Sequence, residues 1–319
     1  MPDVETLRGP IDTAKLGFTL MHEHVFVLSQ GVWENFPSIW DAEEQIASAQ
    51  TKLRELAGLG VATIVDLTVL GLGRDIPRLL RAAGDSPLQV IVATGLYAYN
   101  DDELPRYFRY RDVDAMAELF VRDITEGIQG TGVKAAVLKC ATDEPGVTPA
   151  VEKVLRAVAR AHRRTGAPIS THTHAPTRRG LEQQDIFQQE GVDLGRIVIG
   201  HSGDSEDLEY LQAIMKRGSL IGMDRFGVDI YLSTEKRVAT IARLCELGYA
   251  GQMVLSHDAS CHIDWFPQEA LANAAPNWHF RHISEDVLPA LRASGVSEDQ
   301  IREMTVENPR RVFERSGGY

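Results

Sequence analysis

The chain has 319 residues, 44% of them hydrophobic and 24% charged, and its 45 acidic and 33 basic side chains give a formal net charge of −12. This composition is typical of a globular protein, and the acidic balance disfavours nucleic acid and anionic membrane surfaces as partners. No stretch approaches the ~18 apolar residues of a membrane span, and no apolar leader is present in residues 1–15. The three cysteines have no CxxC spacing, which favours a reducing cytoplasm over a disulfide framework.

Eight short apolar, β-branched runs follow one another along the chain, and each predicts a strand. The segments between them are rich in helix formers, and several end at glycine, a residue typical of the position after a helix. Eight strand–helix repeats without a linker predict a single (β/α)8 TIM barrel over residues 1–319, with an open α/β sheet as the alternative. The predicted strands are Phe18–Val25, Val61–Thr68, Gln89–Leu96, Ala135–Ala141, Pro168–His174, Arg196–Ser202, Ser219–Arg225 and Gln252–Asp258, and clear helical segments are Ala42–Gly58, Val113–Gly127, Ala150–Gly166 and Lys236–Gly248.

Polar side chains concentrate at the carboxyl ends of these predicted strands, where parallel barrels carry their active sites. Six of the ten histidines fall in these short segments. A site built from several strands is therefore predicted at this end of the barrel. The strand-end residues are His22, His24, Lys139, His172, His174, His201, Asp224, Arg225, His257 and Asp258.

His22 and His24 stand two residues apart on the first predicted strand. Alternation directs both side chains to one face, together with Leu20, and directs Glu23 to the other face. Two imidazoles with this spacing can chelate Zn, Fe, Co or Ni. A hydrogen-bonded structural role is the alternative for either histidine alone.

Asp258 and Lys139 are the other two strand-end residues with distinctive chemistry. By alternation, only one of His257 and Asp258 can face the interior, where a carboxylate can bind metal or carry a proton; otherwise Asp258 caps the next helix. Lys139 in AAVLKCA is open to three roles: a structural lysine, a Schiff-base nucleophile, or a carbamylated ligand that bridges two cations. The surrounding histidines favour the metal-binding role, because a Schiff-base lyase does not need them.

The order of these residues resembles the amidohydrolase superfamily in the arrangement of its phosphotriesterases. Further segments are similar to the phosphotriesterase-like lactonases, and together they span nearly the whole chain in order. They are GFTLMHEHV (17–25), TIVDLTVLGLGRD (63–75), ATGLYAY (93–99), LKCATDEPGVTP (138–149), APISTHTH (167–174), IGHSGD (199–204), GMDRFGVD (222–229), VLSHD (254–258) and VENPRRVFE (306–314).

The resemblance implies two divalent metal ions, Zn, Fe or Co, bridged by carboxylated Lys139 and a hydroxide. His174 is then a loop residue. A homodimer is also implied. The ligands so implied are His22, His24 and Asp258 for the more buried cation and His172 and His201 for the more exposed one.

The resemblance further implies that Tyr97 and Arg225 act beside Asp258 in catalysis, and that the substrate is a lactone, including N-acyl homoserine lactones (quorum quenching) and other γ- and δ-lactones. Weak promiscuous phosphotriesterase activity is expected from the same site. The short segment after the seventh strand favours a lactonase over the alternative, a dedicated organophosphate hydrolase. A non-catalytic barrel is a further alternative. The residues expected to line the substrate pocket are Tyr97, Tyr99, Trp265, Phe266 and Trp278.

Overall fold

The computed structural model describes residues 2–314 and 317–319. Its strands are β1 (Asp3–Thr6), β2 (Gly9–Asp12), β3 (Thr19–Val27), β4 (Thr63–Asp66), β5 (Gln89–Gly95), β6 (Val137–Thr142), β7 (Ile169–Thr173), β8 (Ile197–Ile199), β9 (Leu220–Met223), β10 (Met253–Leu255) and β11 (Ser260–Ile263). Its α-helices are α1 (Val32–Asn35), α2 (Ala42–Gly58), α3 (Ile76–Ala83), α4 (Arg106–Arg109), α5 (Val113–Thr125), α6 (Pro149–Thr165), α7 (Arg179–Gln189), α8 (Leu208–Lys216), α9 (Thr234–Glu246), α10 (Gln268–Ala274), α11 (Leu288–Ala293), α12 (Glu298–Arg302) and α13 (Asn308–Glu314), and π-helical turns Ile283–Val287 and Glu303–Glu307 lead into α11 and α13.

Nine of the strands form one curled parallel sheet in the order β10-β9-β8-β7-β6-β5-β4-β3-β11. β10 pairs with β9, while β11, the next strand in the chain, pairs with β3 on the far side. Between them the Asp258 N–H donates to the His22 carbonyl oxygen at 3.0 Å, and the His24 N–H donates to the Ala259 carbonyl oxygen at 2.9 Å. The eighth barrel strand is thus β10 and β11 in series, and the predicted (β/α)8 TIM barrel is confirmed.

The predicted strands and helices coincide with the observed ones, and most differ at their ends. α2 has the predicted bounds, whereas β8 and β10 are shorter than their apolar runs because the polar residues that follow them turn into the site. The β1–β2 hairpin was not predicted, since both strands have only four residues and β2 begins with Gly9 and Pro10, which are not typical of strands.

Side-chain caps start several of the helices that follow strands. Asp41, Asp75 and Asp112 each accept a hydrogen bond from a backbone N–H in the first turn of α2, α3 and α5, and Thr148 does so for α6. Such caps satisfy amide groups that have no partner inside the helix. They fix where each strand-end loop finishes and therefore how long it is.

Two apolar layers pack on either side of the sheet. The outer layer joins strand residues such as Ile64 to helix residues such as Leu53, and the inner layer fills the barrel with residues such as Val65 and Val137. Leu20 lies in the outer layer, so the prediction that it shares a face with the two histidines was wrong. The register shifts between Leu20 and Glu23, which breaks strict alternation there.

Within the described residues, none of the helices has both the length and the apolar character that crossing a bilayer requires.

Candidate metal centre

A cavity of about 600 Å³ opens at the carboxyl ends of the barrel strands. Every residue that the sequence analysis expected to bind metal, act in catalysis or line the substrate pocket lies on its wall or floor. The structure therefore brings together side chains from seven separate strand ends and their loops. These residues are His22, His24, Tyr97, Tyr99, Lys139, His172, His201, Arg225, Asp258, Trp265, Phe266 and Trp278.

Asp224 orients two of the imidazoles. It follows β9 and is 1% exposed, and its carboxylate accepts hydrogen bonds from Nδ1 of His22 at 2.9 Å and from Nδ1 of His201 at 3.0 Å. The His201 backbone N–H also donates to it at 2.7 Å. Because both Nδ1 atoms carry the donated proton, both Nε2 atoms have a free lone pair for a metal. Gly222 makes room for this carboxylate, since an added Cβ there would lie 2.2 Å from its Oδ2.

The free ring nitrogens converge on Asp258. Its Oδ1 lies 3.4 Å from Nε2 of His22 and 3.2 Å from Nε2 of His24, and its Oδ2 lies 3.7 Å from Nε2 of His201. His24 is oriented by Thr68, whose hydroxyl accepts from Nδ1 at 2.9 Å. Ligand atoms of His22, His24 and Asp258 all lie within 4.8 Å of one another, close enough to share one cation.

His172 differs from the other three imidazoles, because it presents Nδ1 rather than Nε2 to the cavity. Its Nε2 donates to Asp143, and its Nδ1 lies 3.5 Å from the hydroxyl of Tyr97. The centre of its ring is 4.6 Å from that of His201, so the two imidazoles adjoin at the open side of the cluster. His174, two residues further on, also lines the cavity, but its Nδ1 bonds the Thr177 hydroxyl, whereas the ring of His172 adjoins that of His201.

Lys139 is 1% exposed at the centre of this cluster, and its amine donates to Nε2 of His22 at 2.8 Å. Burial lowers its pKa to about 8. A neutral amine is the form that reacts with CO₂, so the environment suits the carbamylated ligand that the sequence suggested.

Arg225 links Asp258 to a second buried carboxylate. Its Nε donates to Asp258 Oδ2 at 3.0 Å, and its Nη1 donates to Asp204 Oδ2 at 3.1 Å. Asp204 in turn lies 2.7 Å from the guanidinium of the buried Arg237. Burial lowers the pKa of Arg225, but the carboxylates of Asp204 and Asp258 outweigh it and raise that pKa above its ordinary value.

The protonation states fit a metal centre. Burial lowers the pKa of His22, of His172 to about 4, and of His201 well below its ordinary value, so all three imidazoles are neutral at pH 7. Burial opposes the charge of Asp258, but His22, His201 and its other partners hold the pKa of this carboxyl well below its usual range. Neutral imidazoles beside an ionised carboxylate are the donor set that divalent transition metals and zinc bind.

The residues missed from the sequence are those that orient the predicted ones. Asp224 was noted at a strand end without a role, while Thr68, Asp143 and Asp204 gave no signal. Trp278, expected as pocket lining, also donates its indole N–H to the carbonyl oxygens of His257 and Asp258, at 2.9 and 3.0 Å.

A sequence model of the phosphotriesterase family matches residues 2–313. This chain belongs to the phosphotriesterase family. Enzymes of this family use a binuclear metal centre, which accords with the cluster described above. The predicted resemblance is thereby confirmed at the level of the family.

Individual relatives agree with this assignment. The chain is 57% identical to the "Phosphotriesterase homology protein" of Mycobacterium tuberculosis over the whole of both chains. It is 43% identical to the "Aryldialkylphosphatase" of Saccharolobus solfataricus, over 96% of this chain and 98% of that protein. The structure titled "Structure of the phosphotriesterase from Mycobacterium tuberculosis" superposes with a TM-score of 0.97 at 56% identity and covers all of both chains. The chain is therefore a phosphotriesterase-family hydrolase in sequence and fold.

Proposed function

We propose that this hydrolase is a lactonase that opens N-acyl homoserine lactones and other γ- and δ-lactones and hydrolyses phosphotriesters weakly. The observation that carries the proposal is the division of the cavity into a polar floor and an apolar wall. The floor holds the imidazoles, Lys139 and Asp258, and the wall includes Trp265, Phe266 and Leu271. An acylated lactone has the same division, with a polar ring ester and an apolar tail.

The proposed ligands are the donor atoms that converge on the floor. His22, His24 and Asp258 would hold the more buried cation, and His172 and His201 would hold the more exposed one. Lys139, whose amine contacts Nε2 of His22, would contribute to holding both cations once it is carboxylated. Zn, Fe and Co all suit such nitrogen and oxygen donors.

When bound, the two cations supply Lewis acidity that polarises the lactone carbonyl and lowers the pKa of a water molecule to about 7. Tyr97 supplies a hydrogen bond from the protein. Burial raises the pKa of Tyr97 well above its ordinary value, so the hydroxyl stays protonated and donates a hydrogen bond to the carbonyl oxygen as negative charge develops there.

Asp258 moves the proton. Because its pKa is low, the carboxylate is ionised, accepts the proton released by the attacking water, and returns it to the ring oxygen as the C–O bond breaks. Arg225 holds Oδ2 of Asp258 at 3.0 Å and so keeps the carboxylate turned towards the substrate. The product is a ring-opened hydroxy acid.

A dedicated organophosphate hydrolase is the second candidate. The name of the relative from Saccharolobus solfataricus, "Aryldialkylphosphatase", favours it. The short connection between β9 and α9 favours the lactonase instead. So does the presence of both Tyr97 and Arg225, a combination in which the chain resembles the lactonases.

The corresponding cellular proposal, implied by the family resemblance, is a cytoplasmic homodimer that quenches quorum signals.

Ring opening releases a proton, so titration at constant pH measures the proposed activity directly. We expect turnover of acylated lactones by the metal-loaded protein, loss of turnover after chelation, and recovery when Zn²⁺ or Co²⁺ is restored. Turnover that persists after metal removal has been verified, with substrate trapped on Lys139 by borohydride, would instead identify a Schiff-base enzyme. A metal-loaded protein that opens no lactone contradicts the proposal.

A further inference from the structure

Glu23 lies between the two histidines of β3 and points away from the cavity. It is fully buried, and its carboxylate accepts four hydrogen bonds. Three reach Oε1, from the Ser256 hydroxyl at 2.9 Å, the His257 N–H at 2.9 Å and the His257 ring Nδ1 at 2.7 Å. The fourth reaches Oε2 from the Ala259 N–H at 3.0 Å. All four donors belong to the segment that joins β10 to β11.

Asp258 sits in the middle of this segment in an unusual backbone conformation. Its φ is +54°, in the left-handed region of backbone conformation that residues other than glycine adopt at a cost in free energy. Glu23 holds the N–H groups on both sides of it, those of His257 and Ala259. The Asp258 N–H itself donates to the His22 carbonyl oxygen. The backbone around Asp258 is therefore fixed to β3.

The same contacts connect the segment to the histidines. The His22 N–H donates to the Ser256 hydroxyl at 2.8 Å, and that hydroxyl donates to Glu23. One side chain on the outer face of β3 therefore belongs to the hydrogen-bond network that joins the backbones of His22, His24 and Asp258. The Asp258 carboxylate lies 3.2 to 3.4 Å from the Nε2 atoms of the two histidines, so a small backbone shift changes whether they can share a cation.

We infer that Glu23 is a positioning residue of the metal centre, which holds residues 256–259 so that Asp258 faces His22 and His24. The inference rests on the ligand role proposed above for Asp258. Glu23 touches neither substrate nor metal; it acts through the backbone that carries the ligand. Contacts of this kind behind metal ligands typically change metal affinity or activity by about 10- to 100-fold.

A carboxylate is required because four donors must share its two oxygens. In a Glu23→Gln variant the side chain keeps its size but has one oxygen and one NH₂ group. If the amide oxygen faces Ser256 and His257, the NH₂ group faces the Ala259 N–H. Both groups are donors, so no hydrogen bond forms between them. The residue that follows Asp258 then loses its anchor, and the left-handed turn relaxes.

The test compares wild type, Glu23→Gln and a matched control, Gln184→Met, by titration with Co²⁺ alone and by the visible absorption of the cobalt-loaded proteins. Gln184 is also fully buried, and its amide donates to the Ile214 carbonyl oxygen and the Ser219 hydroxyl outside the cavity. We expect Glu23→Gln to bind Co²⁺ roughly 10- to 100-fold more weakly, with an altered absorption band, lower kcat and unchanged KM. The control should lose stability and keep the cobalt affinity, absorption band and kcat.

The outcomes separate this inference from the proposed function. If wild type binds no pair of Co²⁺ ions, the proposed metal centre fails, and the inference with it. If wild type binds them and Glu23→Gln matches it in affinity and absorption, the inference alone is overturned. Should Glu23→Gln not fold, Ser256→Ala removes one of its donors without changing charge. This variant should shift the cobalt affinity and absorption in the same direction by a smaller amount, and wild-type values for it would overturn the inference.

Discussion

Asp224 shows how a single buried carboxylate prepares two imidazoles on different strands. It accepts hydrogen bonds from Nδ1 of His22 and of His201, so both rings present Nε2 to the same space. Without this acceptor each ring could turn or change tautomer. The metal-binding geometry therefore depends on a residue that we do not place among the ligands.

For Asp224→Asn we predict weaker metal binding, by roughly 10- to 100-fold, because the amide offers one acceptor oxygen to the two imidazoles. Metal content after dialysis against a graded chelator series measures the effect. Asp85→Asn is the control, since that side chain is 85% exposed in its surface pair with Arg54. Equal metal retention by both variants would contradict the role assigned to Asp224.

The types and positions of the proposed ligands could be predicted from sequence because they lie at strand ends, where alternation and chain order locate them. The residues that orient them could not. Asp143 follows β6 and Asp204 lies in the loop after β8, but their partners are set by hydrogen bonds between neighbouring loops. No spacing in the sequence encodes such contacts.

At the scale of elements, the eighth strand departs most from the prediction. The sequence predicted one strand, Gln252–Asp258, and the structure has β10 and β11 separated by the left-handed turn at Asp258. The residues around this turn are Asp and Ala rather than Gly, so the sequence contains no turn signal. Buried hydrogen bonds from β3 impose the turn instead.

The segment between β11 and α11 supplies much of the apolar wall. Trp265 is 40% exposed, and its ring centre lies 6.1 Å from that of Tyr97 at the cavity floor. For Trp265→Ala we predict that KM rises about tenfold for lactones with long acyl chains and much less for short ones, because only long chains reach the lost surface. Tyr110→Ala is the control, being 91% exposed and outside the cavity wall. An equal rise in KM for short and long chains would contradict this placement.

At the scale of the molecule, the barrel could be predicted because eight apolar runs alternate with helical segments, and the strands bury residues in both the outer and the inner layer. Closure of the sheet follows from the same repetition, although the β11–β3 pair that completes it was not predicted. The homodimer and the cytoplasmic location stay predictions. Light scattering on the purified protein checks the first.

His162 ties α6 to the segment that directly follows it and to the distant Tyr319. It is fully buried, its Nδ1 donates to the Ala167 carbonyl oxygen, and its Nε2 accepts from the Tyr319 hydroxyl at 2.8 Å. Burial lowers the pKa of His162 below its ordinary value of 6.5. The unfolded chain then binds more protons than the folded one at mildly acidic pH, so the free energy of unfolding falls as the pH drops below about 6.5.

For His162→Gln we predict a weaker dependence of stability on pH, by up to about 1.4 kcal/mol per pH unit below pH 6.5, since the titrating group is gone. Urea unfolding of both proteins at about pH 8 and about pH 5.5 measures it. Stability curves that fall in parallel for the two proteins would show that His162 does not contribute to the acid sensitivity.

The central claim is that the metal centre of this phosphotriesterase-family hydrolase hydrolyses lactones in preference to phosphotriesters. The most direct measurement is kcat/KM of one metal-loaded preparation on an N-acyl homoserine lactone series and on a phosphotriester, under identical conditions. We predict that lactones are preferred by orders of magnitude, with kcat/KM rising as the acyl chain fills the apolar wall. A phosphotriester that equals or exceeds every lactone would contradict the claim and identify an organophosphate hydrolase.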